Sequence, residues 1–464
     1  MKVTFLSELT EQTLLRKLQR LAKGDSLRAR LLRGGAGSLI VKSLNAVIAF
    51  LLAITLARTL GAEGFGVYSF ILTLITLLAI PAQVGVPQVV IRETAKAQSA
   101  QHWGRLRGLW KWANRYVLMF SLVLMACAIA LLFLRPSWLY EDRWNALFAG
   151  MLLIPVIALA NVRAGALRGL RHIVIGLLPE KIIKPALTLV LILLVSIFSY
   201  SHFPIEPWFA LVLHMGAASL AFMFGAYMLR KNMPPSARQV AADLSARRDW
   251  RRAAAPLAMV AGFQLINSHL DILMVGYFRT DEEVGLYKVA VQFALLVIFG
   301  LRAIEQVIQP YYSAAYSRGD AAQLQKIATA SARAMFFLGV VPTLVLLVFG
   351  SEILGVFFGN EYKAAYMALS ILVIGQLVNA AFGSVVQLLN MTGNEKATLR
   401  GVFVAAICNI VLNILLVPSY GMEGAAFATA MTLFLWNFAL YISVRKKLDI
   451  EPSIIGSRLS RKQC

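Results

Sequence analysis

The chain has 464 residues, 59% of them hydrophobic and 15% charged, with a formal net charge of +22 and a mean hydropathy of +0.70. A soluble protein of this composition would expose far more apolar surface than globular folds do, so a soluble enzyme or binding module is excluded. The excess of Lys and Arg invites a nucleic-acid partner, but these residues flank apolar stretches, where they meet anionic lipid headgroups, and nucleic acid is excluded with them.

The first segment, residues 1–37, sets an apolar stripe (Leu9, Leu14, Leu15, Leu18, Leu21) among Arg16, Lys17, Arg20 and Lys23. It reads as a basic amphipathic helix lying in the membrane interface or as a partly disordered basic tail, and no cleavable signal peptide is visible. Twelve apolar stretches follow, each of about the length that crosses a bilayer as helix. They run over 38–58, 67–91, 116–134, 145–166, 177–198 and 208–229, then 255–277, 284–309, 333–350, 364–389, 401–417 and 422–444. The basic link 230–254, with Pro234 and Pro235, divides six spans from six. This organisation predicts an all-α polytopic membrane protein with an N-lobe (38–229), a linker (230–254), a C-lobe (255–444) and a tail (445–464). Lys and Arg fall overwhelmingly in the N-terminal segment, the even-numbered links and the tail. Acidic residues (Glu141, Asp142, Glu206, Asp281, Glu282, Glu283, Glu361) gather in the odd-numbered, short links. Basic links stay in the cytoplasm, so both termini are expected there, in a bacterial inner membrane. Cys127, Cys408 and Cys464 form no disulfide framework, the five His no zinc spacing, and no cofactor is implied.

An offset of 219 positions places Gly66-Val67-Tyr68 on Gly285-Leu286-Tyr287, Glu63 on Glu282, Asn45 on Gln264 and Arg33 on Arg252. Six spans per repeat is an even number, so the two lobes are expected to be related by a pseudo-two-fold axis along the membrane normal. Polar residues inside the spans recur at helical steps: Ser38, Lys42 and Asn45; Ser69, Thr73, Thr76 and Gln83; Gln264, Asn267, Ser268 and Asp271; Lys288, Gln292, Arg302, Glu305 and Gln306; Gln376, Asn379, Gln387 and Asn390. Such groups are costly against lipid and should face a wet cavity between the lobes, where Lys42, Lys288 and Arg302 could hold an anion such as a phosphate. Duller readings stand beside this one. Arg302 and Glu305 could simply pair along one helix. Asp271, beside His269, is either a proton or sodium site or an acid satisfied by a neighbouring Arg. Arg58, Arg135 and Arg279 are expected to snorkel to headgroups. Lys181 and Lys184, in the run Pro179-Glu180-Lys181-Ile182-Ile183-Lys184-Pro185, and Arg163, Arg168 and Arg171 read as inside anchors or as a vestibule.

The run Leu56-Ala57-Arg58-Thr59-Leu60-Gly61-Ala62-Glu63-Gly64-Phe65-Gly66-Val67-Tyr68 resembles the span 1–2 signature of the polysaccharide transporters, lipid-linked oligosaccharide flippases of the multidrug/oligosaccharidyl-lipid/polysaccharide exporter superfamily. Ala166-Leu167-Arg168-Gly169-Leu170-Arg171 and Tyr420-Gly421-Met422-Glu423-Gly424-Ala425-Ala426 fit the same pattern, and the resemblance covers nearly the whole chain. It implies a cavity opening alternately to each side and a substrate of undecaprenyl pyrophosphate bearing a few sugars, moved outward during O-antigen or exopolysaccharide assembly. The lipid-linked oligosaccharide and membrane lipids are then the partners, with the polysaccharide polymerase machinery as a further one. On this reading Lys42, Lys288 and Arg302 hold the pyrophosphate, Asn45, Gln264, Asn267 and Gln292 face the sugars, Asp271 or Glu305 takes a coupling ion, and no catalytic residue is needed. A multidrug or cation antiporter of the same superfamily is the rival, and a lipid II or teichoic-type flippase the nearer alternative. A membrane glycan enzyme would need a sizeable outer loop.

Overall fold

The computed structural model describes residues 27–83, 85–133, 139–198 and 205–456, and these contain helices and no strand. The expected N-terminal amphipathic segment therefore lies mostly outside the described residues, as does the end of the tail. In hydrocarbon every backbone N–H and C=O must be satisfied within the segment, and a helix does this alone. The first half holds α1 (Leu27–Gln83), α2 (Val86–Ser99), α3 (Trp103–Phe133), α4 (Glu141–Gly150), α5 (Leu153–Gly169), α6 (Ile173–Leu178), α7 (Lys184–Phe198) and α8 (Pro207–Lys231). The basic link carries the short α9 (Pro235–Gln239). The second half holds α10 (Arg247–Phe278), α11 (Asp281–Ser317), α12 (Ala321–Phe358), α13 (Tyr366–Ala381), α14 (Val385–Met391) and α15 (Glu395–Leu448). Among the described residues, nine helical stretches are long and apolar enough to cross a membrane.

The helices differ from the predicted spans chiefly in their junctions. The expected link between spans 1 and 2 does not exist: α1 is helical throughout except at Gly61, whose φ of 68° and ψ of 177° break it. That left-handed φ suits glycine, which has no Cβ to clash. The break reverses the chain. A Cβ on Gly37 would sit 2.6 Å from Val174, and one on Gly165 would sit 2.8 Å from the Pro87 carbonyl. Val174 and Gly165 lie close in sequence, so both ends of α1 return to one end of the bundle. Gly421, with φ 53°, breaks α15 in the same way. The run between Pro179 and Pro185 contains a π-helical turn, Pro179–Ile183, which absorbs the distortion prolines impose on a helix. The helix α10 starts at Arg247, well inside the basic link.

Side chains expected to lie at lipid headgroups or anchors instead tie helices together. Arg58 does not snorkel. Its Nε donates to the Phe357 carbonyl at 2.8 Å and its Nη2 to the Val356 carbonyl. It thus caps the C-terminus of α12, where free carbonyls and the helix dipole favour a cation. Arg279 pairs with Glu283 at 2.9 Å, and Arg135 lies outside the described residues. Buried Arg163 is neither anchor nor vestibule: it pairs with Glu180 at 3.1 Å and donates to the Ala221 and Phe222 carbonyls.

Candidate functional site

The two halves meet along α1, α10 and α11. The first rod of α1 runs antiparallel to α11: Phe50 packs edge-on to Phe293 with centroids 5.2 Å apart, and Lys42 reaches Gln306. The second rod runs antiparallel to α10, with Phe70 against Gly276 and Gly85 against Ala254.

At the acidic end this seam is tight. A Cβ on Gly66 would lie 1.7 Å from the Asp281 carbonyl oxygen, and one on Gly285 would lie 2.1 Å from the Ala62 carbonyl oxygen. Ala62 and Gly66, four apart on α1, and Gly285 on α11 let the backbones touch, the device membrane helices use for close packing. Beside this crossing Arg143 of α4 meets Asp281 of α11 through Nε–Oδ1 at 3.0 Å, Nε–Oδ2 at 3.1 Å and Nη2–Oδ1 at 2.6 Å. Both side chains are almost wholly buried. The guanidinium also lies 4.4 Å from the Phe70 ring centroid, an arrangement that favours the cation. Tyr362 closes the same end by donating to the Ala57 carbonyl at 3.4 Å.

Toward the basic end the seam opens. Lys288, Gln292, Leu295, Phe299, Arg302 and Gln306 follow one face of α11 at steps of three and four. Lys288, Gln292 and Gln306 are half-buried, while Leu295, Phe299 and Arg302 are exposed. The exposed Lys42 donates to Gln306 Oε1 at 3.4 Å and so joins the two halves, with half-buried Asn45 one turn further along. Lys181 stands within electrostatic range of Lys184, Glu180, Arg168 and Lys42, so four cations and one acid gather at this mouth, with Glu180 3.6 Å from Lys184. Arg302 and Glu305 interact electrostatically, but among the described residues no ion pair joins them at contact distance. The backbone of α10 carries Gln264 and Asn267, whose side chains lie outside the described residues.

Asp271 is buried, and among the described residues no Arg pairs with it. It accepts from Tyr287 Oη at 2.6 Å, from the Ile272 amide at 2.9 Å and from Thr429 Oγ1 at 3.5 Å, and Lys288 lies within electrostatic range. Tyr287 follows the start of α11 by under two turns, a partner that the helix-face reading of α10 alone does not reveal.

The other polar stripes are drier than expected. Ser69 and Thr73 are 3% and 4% exposed. Gln83 accepts from Asn161 Nδ2 at 3.1 Å, and Gln387 accepts from Gln309 at 3.1 Å. Asn437 donates to Asn379 at 2.8 Å. These bonds cross between helices and act as packing glue in an apolar medium. Among the described residues, the groups of these stripes that are exposed are Lys42 of α1, Arg302 of α11 and Ser268 of α10. Arg143 and Tyr362, which shut the opposite end, carried no distinguishing sequence signal beyond their places in acidic links.

The polysaccharide biosynthesis protein family matches residues 31–316, and the MatE family matches residues 256–415. The probable low-salt glycan biosynthesis flippase Agl15 of Haloferax volcanii is 30% identical over 195 residues, 41% of this chain and 40% of that protein. The chain thus spans about two fifths of the length of the curated relatives it matches. Two solved structures share the fold. An inward-facing multidrug resistance MATE family transporter superposes with a TM-score of 0.69 at 14% identity, over 89% of this chain and 98% of that one. The lipid II flippase MurJ, in an inward closed conformation, gives 0.71 at 13% identity, over 88% of this chain and 87% of that one. Helices of this length, closed on each other through backbone-tight glycine contacts and matched to that family from residue 31 to residue 316, place the chain in the polysaccharide biosynthesis protein family, to which it belongs.

Proposed function

We propose that the protein is a flippase that carries a polyprenyl-pyrophosphate-linked oligosaccharide, an O-antigen or exopolysaccharide repeat unit, across a bacterial inner membrane by alternating access. The observation that carries this reading is the accessible stripe of α11, which presents Lys288, Gln292 and Arg302 on one face and meets Lys42 of α1 through Gln306. Cations at the depth of a membrane span are costly unless they meet water or an anion, and a pyrophosphate supplies the anion. Asn45, Gln264, Asn267 and Gln292 serve as the sugar-facing hydrogen-bond partners, and the polyprenyl tail stays in lipid. The tight seam at Gly66 and Gly285 is the shut gate, and the cation-rich end is the entrance.

The reading includes twelve crossings in two lobes, with both termini and the basic links in the cytoplasm. The contacts at the gate support the repeat. Under the 219-residue offset Ala62 maps to Asp281 and Gly66 to Gly285, so each half offers the other an equivalent glycine-to-carbonyl contact. One observation favours a second reading, a cation-coupled antiporter of the same superfamily: the buried Asp271 held by Tyr287 suits a proton or sodium ion, and Glu305 is the further candidate. In the flippase reading the same carboxylate takes the coupling ion.

The test is a Lys42→Ala, Arg302→Ala double variant, assayed for translocation of a fluorescent lipid-linked oligosaccharide in proteoliposomes and for complementation of a flippase-null strain. Insertion and yield are expected to stay at the level of the parent while translocation falls by about two to four orders of magnitude, a loss of two charge-assisted contacts worth about 1.5–3 kcal/mol each. Translocation at the parent rate sinks the anion-site reading.

A further inference from the structure

Away from the seam, a cavity of about 630 Å³ opens at the basic end of the first half, lined by Arg107, Trp110, Lys111, Asn114, Arg230, Ala241 and Ala242. Its walls are the first turns of α3, the last turn of α8 and the extended chain after α9. Among the described residues, Lys111 and Arg230 have no acidic partner. Arg107 is fixed in place because its Nη1 donates to the Arg238 and Val240 carbonyls, at 3.0 and 2.7 Å. Trp110 forms the floor, its indole N–H donating to Thr94 Oγ1 at 2.9 Å. Asp243, just beyond Ala242, accepts from the Ser245 amide at 2.9 Å, lies in range of Arg105 and is not among the lining residues. Three cations thus converge on one space with no anion to balance them.

Two apolar tracks lead away from that space. On α3 the face that begins with Arg107, Lys111 and Asn114 continues, at steps of four, through Leu118 and Leu122, which are 40% and 46% exposed. On α8 the face that ends at Arg230 is preceded by Leu220, Met223 and Tyr227, which are 52%, 65% and 58% exposed. A phosphate with two hydrocarbon chains matches this shape: an anionic head in the cation cluster, and one chain along each helix. A soluble phosphate would use the head alone and leave both tracks unexplained. We propose that this cavity is a binding site for an anionic glycerophospholipid, its phosphate held by Arg107, Lys111 and Arg230 and its acyl chains laid along α3 and α8. The site stands apart from Lys42, Lys288 and Arg302 and does not depend on the flippase reading. Basic pockets between membrane helices on the cytoplasmic side attract lipids of this charge.

The full-length protein, purified in detergent, tests this by native mass spectrometry and by thermal unfolding with added phosphatidylglycerol, or phosphatidylethanolamine of the same chains. The parent is expected to retain phosphatidylglycerol preferentially and to gain Tm from it. Arg107→Gln, Lys111→Gln, Arg230→Gln should lower that retention about fivefold or more. Lys111→Gln, Arg230→Gln, which leaves the Arg107 staple intact, should move it the same way. A charge-matched control at exposed sites of the second half, Lys326→Gln, Lys396→Gln, Lys446→Gln, should retain the lipid as the parent does. The proposal fails if the triple variant keeps its phosphatidylglycerol, if the control loses it equally, or if water-soluble glycerol phosphate raises Tm as much as the lipid does.

Discussion

Replacing Arg143 with Ala is expected to lower stability by about 3–5 kcal/mol, because it strands the Asp281 carboxylate in a dry contact. The two groups share three hydrogen bonds of 2.6–3.1 Å and are almost wholly excluded from solvent. Asp281→Ala should cost a similar amount, since a lone guanidinium then remains between the Phe70 and Tyr140 rings. The double variant is the informative one. With both charges gone no uncompensated ion is left, so it should be clearly more stable than the sum of the single losses predicts. Unfolding of the full chain in detergent, followed for all four proteins, gives the coupling directly. Strict additivity would show that the pair does not hold the two halves together. Because the pair bridges the acidic end, each single variant should also admit thiol reagents there to a cysteine placed at Thr73, which is shielded in the parent.

The second large effect is expected at the glycine crossing. A Leu at Gly66 has nowhere to go: its Cβ alone would fall 1.7 Å from the Asp281 carbonyl oxygen, which belongs to a helix backbone and cannot swing aside. Gly285→Leu meets the Ala62 carbonyl in the same way. Overpacking of a well-filled core costs about 1–3 kcal/mol, and here the cost falls on the closed seam, so the halves should part rather than unfold. Both variants are expected to insert, to expose Thr73→Cys as above, and to lose translocation by a factor of ten or more. A Gly66→Leu protein that translocates at the parent rate would mean that the seam is no gate. Gly216→Leu serves as a control, since its Cβ direction is open and its backbone is helical.

Much of this architecture was legible in the residues themselves. Apolar length gave the long helices, and the 219-residue offset found Gly66 and Gly285, which turn out to lie against each other. Periodicity placed Lys288, Gln292 and Arg302 on one face of α11, and they do share it. What periodicity cannot supply is the neighbour. Asp271 was read as an ion site or as an acid satisfied by an Arg, and against the Arg reading its partner proves to be Tyr287, across a hairpin and only 16 positions on. Arg58 was expected to rise to a headgroup, because a cation at the end of a span does so by default, yet the open carbonyls of α12 lay nearer. Gln83 and Gln387 were read as cavity-lining, but a side-chain amide is as readily spent on an adjacent helix. The stretch between spans 1 and 2 was read as a link because turns usually take several residues, and here Gly61 alone makes the turn.

That one-residue turn has a mechanical consequence. With no slack between them, the two rods of α1 are geared together: a twist or tilt of the rod bearing Lys42 passes undamped into the rod that packs against α10. One residue inserted beside Gly61 would rotate one rod against the other by about 100°, since an α-helix takes 3.6 residues per turn. Lys42 and the Gly66 contact surface would then fall out of phase, although every side chain in both rods was unchanged. If the protein works as proposed, the hinge is expected to couple the Lys42 end to the Gly66 contact as a crankshaft does, with its length, more than its chemistry, setting their phase.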